Sequence, residues 1–451
     1  MLSVPGLARV LQPLVTTVAD EAARASGLVQ RSRKLTGAGM VQTLVFGWLA
    51  TLEATLEATL EATLEATLEA LVQMAGTCGV SIRVQGLAQR FTEPVVACLR
   101  QVLETAMAQL VAAAPVVLPL LDRFPGVYLW DSTTITLPDA LAEAWAGCGG
   151  RVDHGGRAAL KVQVRWEFRT GRLELVALPP GRESDKAAAQ AAPPLPPASL
   201  RLTDLGYIGL ALVRELTNQE VFVLCRFPAQ VTVFADGQRW TTADFLAAQR
   251  TKRVDTWVVV GVTEPVSVRL VATRVPADVA RRRRRQWRKE AKREGHVVRT
   301  ARLALAAWDV YRTTVPTTVL SLPDILAVAH LRWQIELLFK LWKSHGKVDE
   351  RRSTQPWRIL TEVYAKLVAM LLQHWCVLLG CWADPERSLV KAAAIVRDHA
   401  RLLAHACTHQ HALHAALRAL TAALLHAGRL NRRRNTPTTA QRLLACTPQA
   451  R

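Results

Sequence analysis

The chain has 451 residues, enough for roughly two to four domains rather than one. Its 57 Lys and Arg residues against 37 Asp and Glu give a net charge of +20, which favours a nucleic acid partner ahead of an anionic membrane surface. The sequence offers no apolar run of the ~20 residues that span a bilayer and no signal peptide, so we expect a cytoplasmic protein with no membrane partner.

The N-terminal region predicts helices. Residues 51–70 are five copies of Thr-Leu-Glu-Ala, a helix-favouring repeat to which we assign no function. Two further helices are expected, joined near residues 91–94, with Ser81 and Thr92 as N-caps. A helix-turn-helix and a generic helical bundle fit them equally well. We therefore predict an α-helical N-terminal DNA-binding domain over residues 1–122.

From Val127 the pattern changes to strands. The runs VYLWDSTTITL, KVQVRWEF, RLELVAL, LRL and VFVLCRF have strand character, and GYIGLALVREL is helical, a mixture typical of an α/β sheet domain. The runs VTVFA, TWVVVGV and VSVRLVATRV then suggest a β-rich insertion. A basic segment beginning at Arg281 closes it. Phosphate contact by this segment, which includes Arg288 and Lys289, is favoured over a merely solvated helix face.

The C-terminal part is helical and basic. The segment AHLRWQIELLFKLWK, residues 329–343, predicts one largely buried helix. At ~100° per residue, Arg332, Glu336, Lys340 and Lys343 form a stripe about 80° wide. Because buried charges need partners, this stripe is either an internal salt-bridge ladder or, as its positive excess favours, a phosphate-binding site. From about Pro356 a helical region continues to a basic patch at residues 429–434.

Eight cysteines without a CxxC pair indicate free thiols. The cluster HACTHQHALH, residues 405–414, lacks the spacing of a zinc finger, so a helix surface is the favoured interpretation.

Two aspartates and one glutamate are the candidate catalytic residues. Asp131 lies inside a predicted strand, where a carboxylate is disfavoured, and Asp204 follows a strand at a turn that Gly206 permits. With Glu336 they would supply hard oxygen ligands for Mg²⁺ or Mn²⁺. Two such ions, ~4 Å apart, can activate an attacking oxygen and stabilise a leaving one.

Three sequence blocks carry a family resemblance. LWDSTTITLP around Asp131, LRLTDLGYIGL around Asp204 and LRWQIELLFKLWK around Glu336 resemble the signature of the IS-four family of DDE transposases, over about residues 40–400. The resemblance implies an RNase H-like catalytic domain in two parts, residues 123–228 and 301–380. The β-rich insertion, residues 229–300, interrupts it, and a helical region follows over residues 381–451.

The resemblance also implies a function and roles for further residues. Such a protein acts on double-stranded DNA in the bacterial nucleoid, as a homodimer on paired ends. It cuts at the terminal inverted repeats through a 3′-OH and a hairpin intermediate, and joins the ends to target DNA. Arg332, Lys340 and Lys343 would hold end phosphates. Trp308 would stabilise a flipped base, with a core aromatic as the alternative.

One position departs from the family signature. The signature has Tyr three residues before its Arg, where this chain has Ala329. At about 60° from Arg332 on one helix, Ala329 should face the DNA, so Ala329→Tyr is expected to restore a hydrogen bond. A catalytically impaired copy that only binds DNA is the alternative function. A nuclease that cuts without joining is the third hypothesis.

Overall fold

The computed structural model describes residues 2–30, 35–50, 60–148, 157–228, 231–350, 353–430 and 437–446. The helices are α1 Val4–Val15, α2 Thr17–Ala25, α3 Gly37–Ala50, α4 Leu60–Thr77, α5 Val84–Ala88, α6 Glu93–Met107, α7 Asp185–Ala191, α8 Leu210–Asn218, α9 Thr242–Ala248, α10 Ala277–Arg293, α11 Thr300–Leu305, α12 Leu322–Ala329, α13 Arg332–Lys340, α14 Pro356–Cys381, α15 Leu389–Asp398, α16 Ala400–Ala406, α17 Gln410–Ala427 and α18 Thr439–Ala445. The strands are β1 Val127–Leu137, β2 Ala158–Glu167, β3 Leu173–Ala177, β4 Leu200–Thr203, β5 Phe222–Arg226, β6 Thr232–Ala235, β7 Gln238–Thr241, β8 Arg253–Val260, β9 Val266–Arg274 and β10 Trp308–Thr313.

The chain divides into two compact units. The first comprises Met1–Val117, Ser132–Glu183 and Ile335–Thr436, and the second Leu118–Asp131, Ser184–Gln334 and Pro437–Arg451. Strand β1 and helix α13 each run through a unit boundary. The mixed α/β composition predicted from the sequence is confirmed.

The first unit is built around helix α14. This helix packs against α3, α6 and α17, and α17 also contacts α1. Among the described residues, α14 is the one helix long and apolar enough to cross a membrane, but 94% of its apolar window is buried inside the protein. Burial of this kind is typical of a core helix, because its apolar surface is already covered by protein.

The N-terminal helices agree in part with the sequence. Helix α4 confirms the helical prediction for the end of the Thr-Leu-Glu-Ala repeat, and residues 51–59 lie outside the described residues. Thr92 is the N-cap residue of α6, as predicted, although its hydroxyl donates to the carbonyl of Arg90 instead of capping. The Ser81 prediction was wrong: Arg83 occupies the N-cap position of α5, and its side chain makes no capping hydrogen bond. Gly79, at φ 75°, ends α4, and the chain stays extended past Ser81 before the next turn begins.

The second unit holds most of the sheet. Its strand order is β1-β4-β5-β10-β9-β8-β6-β7, and in the first unit β3 and β2 lie beside the later part of β1. Strands β1, β4 and β5 are parallel, and β10 is antiparallel to both β5 and β9. Strand β1 has the bounds that the sequence predicted. Its first four residues are all buried, as expected for a parallel strand.

Candidate functional site

The aspartates predicted from the sequence lie side by side on neighbouring parallel strands, Asp131 within β1 and Asp204 directly after the end of β4. In the register of β1 and β4, Trp130 pairs with Thr203. Asp131 and Asp204 are the next residue on each strand, so their backbones are separated by about one strand spacing, ~4.8 Å. Both side chains are half-buried. Asp204 also begins the short 3-10 turn Leu205–Tyr207, which directs the chain away from the sheet.

Buried cations lie under this acidic strand end. Arg201, on β4 three residues before Asp204, is 2% exposed and stacks its guanidinium 4.3 Å from the ring centroid of Trp130. Arg312, on β10, is 4% exposed and donates to the Cys225 thiol and to the carbonyl of Ile208. Arg312, Arg201 and Asp204 all lie close enough to the Cys225 thiol to influence its pKa, so the two guanidinium groups and this carboxylate share one buried neighbourhood.

Glu336 lies on α13, within the first unit. Its association with the aspartate pair stays a prediction. The helix around it is amphipathic rather than largely buried: Trp333 is 53% exposed and Leu337 46% exposed, whereas Ile335 and Leu338 are in the core. The expectation of a buried helix was therefore wrong for the face that Trp333 and Leu337 share at i,i+4 spacing.

The single helix predicted over residues 329–343 is also wrong. Helix α12 ends at Ala329 and α13 begins at Arg332, with tight i to i−3 hydrogen bonds from Leu331, Trp333 and Gln334 between them. Residues 341–345 then widen into a π-helical turn. The angles derived from one regular wheel consequently fail for Ala329 and Lys343.

The predicted phosphate-binding lysines lie in different surroundings. Lys340 is exposed at the end of α13. Lys343 is half-buried, and its ammonium donates to the carbonyl of Thr134, 3.0 Å away. This bond gives Lys343 a structural contact in addition to any contact with DNA.

Arg332 lines a cavity in the second unit. The cavity has a volume of about 180 Å³. Its charged and polar wall is formed by Arg226 at the end of β5, Arg283 on α10, Asp309 and Tyr311 on β10, and His330 and Arg332 at the α12–α13 turn. Ala329 also lies on this wall. Three guanidinium groups against one carboxylate make it suitable for an anion.

Two contacts fix the geometry of this cavity. Arg283 donates to Asp309 Oδ1, 2.8 Å away, and to the carbonyl of Trp308.

Burial raises the pKa of Tyr311, with a further contribution from Asp309, so its phenol stays protonated at neutral pH. Burial and the nearby Arg442 lower the pKa of His330, which favours its neutral form.

Sequence reasoning missed Arg226, Arg283, Asp309 and Tyr311. Strand β10, which carries two of them, alternates polar and apolar residues over Trp308–Thr313, and that alternation was the available signal. Arg226 closes a run that was recognised as a strand. The pairing of β10 with β5 brings Tyr311 opposite Arg226.

The basic segment forms helix α10. Arg283 and Arg284 turn inward, Arg284 donating to the carbonyl of Leu303. Arg288 and Lys289 are exposed, as expected of residues that contact DNA. The other exposed cations of this helix are Arg281, Arg282, Arg285, Lys292 and Arg293.

Trp308 is a buried residue at the start of β10. It is 7% exposed, and the guanidinium of Arg274 lies 4.8 Å from its ring centroid. These are the surroundings of a core aromatic, the alternative that the sequence left open.

The aspartate pair fits a divalent cation. Its oxygen donors are of the type that Mg²⁺ and Mn²⁺ prefer. Within the part of the chain that is described, no cluster of three or more His, Cys, Asp or Glu side chains is arranged to hold a metal ion. A third carboxylate would have to join the pair.

In residues 405–414, His405, His409 and His411 are exposed on or beside α16 and α17.

A comparison with known families identifies the class of this α/β protein. A family model described as a transposase DDE domain matches residues 122–372, which include Asp131, Asp204 and Glu336. The chain belongs to this family, as the three sequence blocks predicted. Transposase DDE domains generally use divalent metal ions, and transposases act on DNA at the ends of insertion sequences.

Individual relatives agree with this membership. The transposase for insertion sequence element IS231F from Bacillus thuringiensis subsp. israelensis is 22% identical over 413 residues, covering 85% of this chain and 83% of the relative. The transposase for IS1151 from Clostridium perfringens is 21% identical over 274 residues, 56% of this chain and 57% of the relative. The putative transposase InsL for IS186A from Escherichia coli is 30% identical over 145 residues, 31% of this chain and 39% of the relative.

Proposed function

We propose that this chain is a cut-and-paste transposase that binds the terminal inverted repeats of its own insertion sequence, cleaves there and joins the ends to target DNA. The observation that carries the proposal is the pair Asp131 and Asp204, which lie side by side on adjacent parallel strands within the segment matched by the transposase family. A hairpin intermediate and action as a homodimer on paired ends are parts of the same proposal, carried by the family resemblance.

The proposed catalytic residues are Asp131, Asp204 and Glu336, acting together as metal ligands. Two Mg²⁺ or Mn²⁺ ions held by them would activate the attacking oxygen and stabilise the leaving 3′ oxygen. The three carboxylates would hold these ions in place, because carboxylate and phosphate oxygens repel each other unless a cation lies between them.

The proposed fold is an RNase H-like catalytic domain over residues 123–228 and 301–380, with a β-rich insertion over residues 229–300. Its support is the order β3-β2-β1-β4-β5, with β2 and β3 antiparallel and the last three strands parallel. The antiparallel strands β6–β9 support the insertion. We extend the proposal to an N-terminal DNA-binding domain over residues 1–122 and a helical C-terminal region over residues 381–451.

The proposed DNA-binding residues fall in two groups. Arg332, with Arg226 and Arg283 beside it, would bind a phosphate of the cleaved end, and Lys340 and Lys343 a neighbouring phosphate. Stacking of Trp308 on a displaced base stays the alternative to the core role that its burial favours. Arg288, Lys289 and the other exposed cations of α10 would follow the duplex backbone, since they extend over ~18 Å at 1.5 Å per residue.

The proposal is tested by cleavage of a labelled duplex that carries the inverted repeat found beside the gene, in Mg²⁺ and in Mn²⁺. Asp131→Ala, Asp204→Ala and Glu336→Ala should each abolish cleavage and leave end binding intact. Glu215→Ala, which removes an exposed carboxylate on α8, is the matched control. Binding without cleavage by the unmodified chain would instead support the impaired, DNA-binding copy.

The role of α10 has its own test. Arg288→Gln and Lys289→Gln should each weaken end binding and reduce the slope of log affinity against log salt by about one unit. Lys186→Gln, at an exposed position on α7, is the matched control. An unchanged salt slope in both α10 variants would remove this helix from the DNA-binding surface.

A further inference from the structure

The phenol of Tyr311 is a protonated donor in the cavity lined by Arg226, Arg283 and Arg332, and the proposed chemistry leaves it without a task. Strand pairing fixes its position: Tyr311 lies opposite Arg226 in the antiparallel register of β10 and β5. Side chains opposite each other in such a register are on the same face of the sheet. The phenol and the Arg226 guanidinium therefore approach the cavity from one face.

The other two guanidinium groups are close enough to influence the phenol. Arg226, Arg283 and Arg332 each lower the pKa of Tyr311, against the larger raising effects of burial and Asp309. Arg283 is already engaged by Asp309, which accepts from it at 2.8 Å. Because that carboxylate offsets one guanidinium, two further positive charges face the same space as the phenol.

The size of the cavity agrees with a phosphate ligand. About 180 Å³ is space for roughly six waters at ~30 Å³ each, enough for a phosphate group with part of its sugar. Ala329 contributes only a methyl group to the wall and so leaves this space open. A phosphodiester has two anionic non-bridging oxygens, which two guanidinium groups and one hydroxyl donor can bind together.

We propose that Tyr311 donates its phenolic hydrogen to a non-bridging oxygen of a DNA phosphate bound in this cavity by Arg226 and Arg332, and that this bond positions the strand end for cleavage. The inference rests on the proposed function. It assigns Tyr311 a contact with substrate in place of a purely structural role. A hydrogen bond to a charged group predicts a roughly ten- to hundredfold slower reaction when the hydroxyl is removed.

The test is single-turnover cleavage of a pre-bound end by Tyr311→Phe, which keeps the ring and removes the hydroxyl. Tyr364→Phe, which removes the hydroxyl of a buried tyrosine on α14, is the matched control and should cleave like the unmodified chain. The thermal midpoint of Tyr311→Phe should stay unchanged, so that a slower reaction reports a lost substrate contact and not a loss of structure.

A neutral methylphosphonate, placed at one DNA phosphate at a time, identifies the partner oxygen. At the phosphate bound in the cavity, the substitution should slow the unmodified chain about ten- to a hundredfold more than it slows Tyr311→Phe, because the variant has already lost the tyrosine bond and both proteins lose the charge opposite Arg226 and Arg332. Unchanged cleavage by Tyr311→Phe, or losses that multiply at every phosphate, would overturn the inference.

Failure of the proposed function would have a different signature. If the unmodified chain binds the end without cutting it, the same comparison is made on binding affinity, where the shared loss at one phosphate would still support Tyr311. If the unmodified chain neither binds nor cuts the end, the proposed function and the Tyr311 contact are both refuted.

Discussion

Lys366 on α14 is a buried charged residue whose substitution should destabilise the first unit strongly. Its ammonium is 2.6 Å from Glu362 Oε1, and the two side chains are 1% and 4% exposed. It also donates to the carbonyls of Lys347 and Glu350, in the turn that follows the π-helical segment. All three hydrogens of the ammonium are thus used by buried or partly buried acceptors.

The expected cost follows from what each substitution leaves behind. Lys366→Met leaves the Glu362 carboxylate buried without its partner, and breaking such a pair costs ~3 to 5 kcal/mol of unfolding free energy. Glu362→Leu leaves the ammonium buried with only carbonyl acceptors and should cost about as much. The double variant Lys366→Met/Glu362→Leu removes both charges, so it should cost ~2 kcal/mol for the two unpaired carbonyls.

Urea denaturation of the four proteins measures these costs. The double variant should be more stable than the sum of the single costs predicts, with a coupling of several kcal/mol. A cost below ~1 kcal/mol for Lys366→Met, or single costs that add in the double variant, would refute the idea that this buried pair fixes the turn.

Three further predictions concern single residues. Burial lowers the pKa of His374 from 6.5 to about 4, so the unfolded chain binds a proton that the folded chain excludes. The free energy of unfolding should therefore fall by up to ~3 kcal/mol as the pH drops from about 6.5 to about 4. In a series of denaturation measurements across this pH range, His374→Gln should flatten the decrease. Ala329→Tyr should fill the cavity beside Arg332 and slow single-turnover cleavage. A faster reaction would instead support the expectation from the family signature, that a Tyr at this position donates a hydrogen bond to the DNA. Trp308→Ala should lower the free energy of unfolding by ~3 to 5 kcal/mol, as a core truncation does; normal stability with slow hairpin formation on denaturing gels would favour base stacking instead.

The strands of the parallel sheet could be predicted from the sequence because apolar and β-branched residues dominate runs of strand length. Val127–Leu137 was predicted to the residue, and β4 and β5 nearly so. Strand β10 was missed as a strand because it carries Asp309 and Arg312. Arg312 is buried in the sheet only because Cys225 and the Ile208 carbonyl accept its hydrogens, and those partners are distant in sequence.

The candidate site, too, could be predicted only in part from the sequence. Asp131 was found because a carboxylate inside a strand is disfavoured, and Asp204 because it follows a strand at a turn, where active sites of α/β sheets occur. The cavity was not found from the sequence, because Arg226, Arg283 and Arg332 come from three segments that only the folded chain brings together. The break between α12 and α13 was missed because the segment contains no Gly or Pro to mark it, and tight turns at Leu331 replace the regular helix.

The central claim, that this chain joins DNA as well as cutting it, is tested most directly with a pre-cleaved end that exposes its 3′-OH, incubated with the full chain, Mg²⁺ or Mn²⁺ and a circular target. The account predicts a covalent product in which the labelled 3′ end is joined to the target, dependent on the metal and absent with Asp204→Ala. A chain that nicks the target in the presence of metal but leaves the labelled end unjoined would be a nuclease, and that result would contradict the account.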